Sequence, residues 1–196
     1  MIKFESFTAR EAARITAMDL VTQRDHRRRF PEFLPPMGPK PSYEIDVLLQ
    51  MSFVKEVAGL NIGPKRAWHD SEIVSQAALY FALHCNGCIK GDLTASCTIP
   101  EPSQEDINLY TVRQVYQERA NDLGWYGNII FKRSAFFWGD GSSWFGGSLD
   151  EWRDSVEQND PRIGQPVVSL DLPFFAKKVV DKLPRAAVRI LDVGAN

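Results

Sequence analysis

The sequence predicts an α+β fold, with a winged helix-turn-helix over residues 1–70 followed by a mixed domain over residues 71–196 that carries a small sheet. Three observations lead there. Two helical signals near the start, each with its own N-cap residue, are separated by a three-residue break. A proline-rich stretch follows them, which no helix can continue through. Beyond Ser71, helical periods give way to short runs rich in β-branched and aromatic residues.

The first helix is expected from Ala9. Thr8 precedes Ala9-Arg10-Glu11-Ala12-Ala13-Arg14-Ile15, and Glu11 completes a capping box three residues after Thr8. Thr16, Ala17 and Met18 break the pattern, and Asp19 caps a second helix running to about Arg29. Residues 30–41 contain five prolines and read as two extended pieces around a turn, the place of a wing. Tyr43 and Glu44 then open a helix with Ile45, Leu48, Leu49, Phe53 and Val57 on one stripe, ended by Gly59, and Gly63-Pro64 starts another helical turn.

In the second half, Ile73, Val74, Ala77, Ala78, Phe81 and Leu83 mark a helix from Ser71 to Asn86-Gly87. Ser103 caps another, carrying Ile107, Val112, Val115, Tyr116 and Ala120. Strands are expected over 128–138, 166–172 and 187–191, with a short helix from Pro173 to Val180. The aromatic and glycine-rich run from Trp138 to Gly147 lacks the lysine of a phosphate-binding loop and reads foremost as core packing.

Composition narrows the function classes. At 196 residues and 44% hydrophobic content, the chain is long enough for a substantial core. No run reaches the roughly 18 apolar residues that span a bilayer. The opening residues are not a secretion signal, so a cytoplasmic location is expected. Three cysteines fit a reducing compartment rather than a disulfide framework. The net charge of −2 combines a balance of +2 up to Asp70 with one of −4 beyond it. Arg24, Arg27, Arg28 and Arg29 crowd six positions, either as a solvated helix face or as a phosphate-binding one.

Phe7 to Thr16, then Thr22-Gln23-Arg24, then Leu34-Pro35-Pro36, then Tyr43 and the helix to Gly59 resemble, in order and spacing, the DNA-binding domain of MerR-type regulators. The resemblance covers about Phe7 to Trp68. Within it, Ala17 stands where the family has a turn glycine, Gln23 where it has an apolar residue, and Asp25-His26 where it often has paired aromatics. It implies a sequence-specific transcriptional regulator of double-stranded DNA whose second helix enters the major groove. Thr22, Gln23 and Arg24 would then lie nearest the bases, and His26, Arg27 and Arg28 along the backbone. Lys40 on the wing would reach a flanking groove, with Thr8 and Tyr43 as further phosphate donors. Phage excisionases and small terminase subunits share this outline, so an architectural or packaging role is the alternative.

A homodimer held by the Ser71–Leu83 helix and the Phe136–Phe145 segment is expected, because one small winged domain reads only a short stretch of groove. A small-molecule or protein effector on the second half is compatible with that organisation. No metal or other cofactor is expected: His84, Cys85, Cys88 and Cys97 offer soft ligands at spacing unsuited to zinc. A small enzyme is the rival class. His69-Asp70 is the nearest approach to a catalytic pair, and no nucleophile motif accompanies it.

Overall fold

The computed structural model describes residues 1–34, 41–60, 62–125 and 132–191. They form an α+β fold whose element order is β1 (Ile2–Phe4), β2 (Phe7–Thr8), α1 (Ala9–Thr16), α2 (Leu20–Arg29), β3 (Ser42–Tyr43), α3 (Ile45–Val57), α4 (Pro64–His84), β4 (Ile89–Lys90), α5 (Gln104–Asp122), β5 (Ser134–Trp138), β6 (Ser143–Gly146), α6 (Leu149–Ser155), β7 (Val167–Asp171), α7 (Leu172–Val180) and β8 (Val188–Ile190).

The caps sit where the sequence places them. Thr8 accepts a hydrogen bond from the Glu11 amide, and the Glu11 carboxylate accepts one from the Thr8 amide at 2.7 Å. Asp19 accepts from the Thr22 amide at 2.7 Å, and Ser103 forms a capping box with Asp106. Between α1 and α2, Ala17 adopts a left-handed conformation with φ of 57°. That backbone suits glycine, so Ala17 holds the turn at a steric cost.

The centre of the molecule is α3. Nine of its 13 residues are buried, so it is enclosed by neighbours rather than laid on a surface by one stripe. α4 packs along it, and α1 and α7 close further sides. The helix expected from Ser71 begins at Pro64, because the turn signalled by Gly63-Pro64 is the first turn of the same helix. Positions 70 and 71 therefore lie inside α4, and residues from Phe7 to Val188 share one core.

Two three-stranded sheets flank this core, where one small sheet was expected. In the first, β8 pairs antiparallel with β1 and parallel with β4. In the second, β5 lies between β6 and β7, antiparallel to both. Alternation along β5 divides its side chains between two faces. Phe137 points to the main core, 5.3 Å from Phe53 by ring centroid. Phe136 and Trp138 join Trp152 of α6 in a separate cluster, with the Arg162 guanidinium 5.4 Å from the Trp138 ring. The aromatic run thus packs inside the chain.

The wing departs from expectation. Residues 35–40 lie outside the described residues, and Phe30–Leu34 forms a turn, with the Leu34 amide bonded to the Phe30 carbonyl. β3 pairs not with that segment but with β2, Phe7 opposite Tyr43. The side chain of Leu34 is fully buried, so core burial draws the chain inward just where an extended strand was expected.

Arg185 reaches from the turn before β8 to α1. Its guanidinium pairs with Glu11, donates to the Ser6 carbonyl at 2.7 Å and lies 4.5 Å from the Phe7 ring. The Arg185 bonds, with the Thr8 amide, hold the Glu11 carboxyl at a pKa of about 2, below its ordinary 4.5. A depressed carboxylate stabilises the fold above its unfolded pKa, and that contribution fades as pH falls from about 4.5 towards 2. Glu11→Gln is therefore expected to lower the urea midpoint at pH 7 but to approach the parent protein near pH 2.5. A difference independent of pH would refute the coupling.

Candidate nucleic-acid interface

α2 divides its residues between a locked inner face and an exposed outer one. Gln23 is fully buried: its amide donates to the carbonyls of Ala9 at 3.1 Å and Met18 at 2.8 Å, and its oxygen accepts from the Tyr43 hydroxyl. Tyr43 is buried in turn, and its hydroxyl accepts from Arg27 at 2.8 Å. Burial raises the Tyr43 pKa against the opposing charge of Arg27, so the hydroxyl remains protonated. His26 accepts from the indole N–H of Trp68 at 3.0 Å, and its ring meets Phe30 and Trp68 edge-on. Burial lowers the His26 pKa, which favours the neutral acceptor.

These contacts correct three expected site residues. Gln23 and Tyr43 cannot meet DNA because their polar atoms are inside and already paired. His26 is half-buried, and its Nδ1, taken up by Trp68 of α4, is not open to a phosphate. Thr8 is exposed but serves as the α1 cap. Lys40 lies outside the described residues.

What remains outward is a line at helical spacing, Val21, Arg24 and Arg28. Val21 is 74% exposed, an apolar side chain at the start of the helix that the sequence reading passed over. Arg24 is exposed and forms no hydrogen bond or ion pair among the described residues. Arg28, with its side chain 80% exposed, pairs with Asp25 at 2.7 Å, and Arg29 shares the same carboxylate at 3.2 Å. Thr22 sits partly exposed in the first turn. One carboxylate against four arginines leaves α2 strongly positive.

The other chemical candidates resolve into structural roles. Cys85, Cys88 and Cys97 are free, and burial pushes the Cys88 thiol up to about 12. Among the described residues, no group of three or more His, Cys, Asp or Glu side chains is placed to hold a metal ion. Asp70 binds Arg66 at 3.2 Å rather than His69. Arg66 also donates to the carbonyls of Trp138 and Ser142, both at 3.1 Å, tying the start of α4 to the β5–β6 turn. No helix of the described residues is long and apolar enough to cross a membrane.

Comparison with known protein families, with curated proteins and with solved structures finds no match to this chain.

Proposed function

We propose that the protein binds double-stranded DNA in a sequence-specific manner, with α2 as its recognition helix, and acts as a transcriptional regulator of MerR-like type. The observation that carries this reading is the exposed Val21–Arg24–Arg28 line on a helix whose other face is clamped by Gln23, Arg27 and His26. A rigid helix presenting unengaged guanidinium is what groove reading requires, since the fork matches guanine edges and phosphates. Arg24 is assigned the base contact because no carboxylate competes for it. Arg28 and Arg29 must exchange Asp25 for phosphate, and so contribute to position and salt dependence. Thr22 is a phosphate donor at the helix start, and Arg27, tied to Tyr43, supports rather than contacts.

Pairing of two chains belongs to the proposal, but the surfaces first expected to mediate it are used inside the chain. Val74, Ala77, Ala78 and Leu83 of α4 are buried, as are Phe136, Phe137 and Trp138. A two-fold contact has to use other residues.

The test is anisotropy titration of the full chain with DNA fragments recovered by unbiased selection. Affinity is expected to fall with added salt, with a slope of about −0.9 per neutralised phosphate. Arg24→Ala is expected to cost about 1–3 kcal/mol and to relax discrimination at one base position, whereas Arg28→Ala weakens all sequences alike and reduces the salt slope by about 1. Salt-independent binding, or selection that recovers no motif, would refute the reading.

A further inference from the structure

The end of α2 and the start of α4 enclose a cleft of about 570 Å³, within the usual range for small-molecule sites. Its walls are Phe30, Phe33 and Pro64, and its rim is Arg29, Lys65 and His69, with Arg66 behind them. Among the described residues, every polar side chain lining it is basic and no carboxylate lines it. Each guanidinium nitrogen of Arg66 donates one hydrogen bond, to Asp70, Trp138 and Ser142, which makes it a fixed part of the wall. Lys65, by contrast, is exposed and makes no ion pair or hydrogen bond among the described residues. Arg29 shares Asp25 with Arg28 and retains uncompensated charge.

We propose that this cleft binds a small organic anion with an aromatic body. The aromatic surfaces select the body: the Arg29 guanidinium lies 5.4 Å from the Phe30 ring, and Phe33 meets His69 edge-on with centroids 6.5 Å apart. A flat ring entering between Phe30 and Phe33 continues that stacking. The rim selects the charge, because Lys65 and Arg29 stand where a carboxylate on such a ring would emerge, and a charge-assisted hydrogen bond is about twice as strong as a neutral one. A bare inorganic anion would leave the phenylalanine walls uncovered. The site shares Arg29 with the DNA-binding reading but does not rest on it, because the naphthoate readout needs no DNA.

The experiment is equilibrium dialysis of the full chain against 1-naphthoate and, in parallel, the neutral 1-naphthamide of nearly the same shape. Saturable binding of one naphthoate per chain is expected, with a preference over the amide of about tenfold, since one charge-assisted bond is worth about 1.4 kcal/mol or more. The double variant Arg29→Gln/Lys65→Gln, both positions being exposed, is expected to abolish that preference without changing the melting temperature. Phe33→Ala is expected to weaken both compounds, and Lys182→Gln, remote from the cleft, neither. Equal affinity for the two compounds, a preference that survives the double variant, or no naphthoate bound at its solubility limit would each overturn the assignment.

Discussion

Trp68→Ala is expected to lower the free energy of unfolding by about 3–5 kcal/mol, the range for truncating a large buried aromatic. The side chain is fully buried in α4, and its indole N–H is the bond that holds His26 and with it the middle of α2. Two losses combine: a cavity forms between α2 and α4, and a half-buried imidazole is left without its donor. Trp68→Phe separates them in part, since it keeps most of the aromatic volume while removing the N–H and the remainder of the five-membered ring. About 2 kcal/mol is expected for that change, roughly 1 for the neutral hydrogen bond and the rest for the small cavity. Urea unfolding followed by circular dichroism measures both. A loss below about 1 kcal/mol for the alanine variant would show that α2 is held elsewhere. Under the DNA-binding proposal, Trp68→Phe also weakens DNA affinity while leaving Arg24 and Arg28 untouched, because the helix that presents them is less firmly set.

The lock on α2 was legible in part. The caps at Thr8, Asp19 and Ser103 follow from local chemistry, side-chain oxygens satisfying first-turn amides, and local chemistry is what a sequence displays. The apolar positions of α3 and α5 followed from their period for the same reason. Gln23 was misread because its side chain is polar, yet it stands where the MerR-like pattern has an apolar residue, and that was the signal that it faces inward. His26 likewise stands at an aromatic position of that pattern and packs as one, against Phe30 and Trp68.

What escaped the sequence is long-range. The two-residue strands β2, β3 and β4 are too short to show a period, and each exists because a distant segment supplies its hydrogen bonds. Arg185 bracing Glu11 and Arg66 reaching Trp138 and Ser142 join residues far apart in the chain. The merger of two helical signals into α4 was hidden by Arg66, His69 and Asp70, polar residues that interrupt the stripe. Arg66 and Asp70 are nevertheless satisfied by one another at helical spacing.

The same long-range logic applies to Arg119. It projects from α5 with a side chain only 11% exposed, and its guanidinium pairs with Asp46, itself 5% exposed, and with Glu44 at 2.5 Å. The Phe4 ring lies 4.8 Å away, so one side chain joins α5, the start of α3 and β1. Glu44 is the N-cap residue of α3 and follows Tyr43, whose hydroxyl anchors Arg27 and Gln23 of α2. Arg119→Met leaves the Asp46 carboxylate buried without its countercharge, which is expected to cost about 3–5 kcal/mol, whereas replacing both members of a buried pair often costs far less. Asp46→Asn in the Arg119→Met background is therefore expected to recover most of the loss, even though Asp46→Asn alone destabilises by leaving the buried Arg119 guanidinium to Glu44 and by removing a carboxylate from the first turn of α3. A double-mutant cycle in urea measures the coupling. If the two single costs simply add, the buried carboxylate is not what makes the loss of Arg119 expensive, and Arg119 would instead matter through the packing of its stem and its ring contact with Phe4.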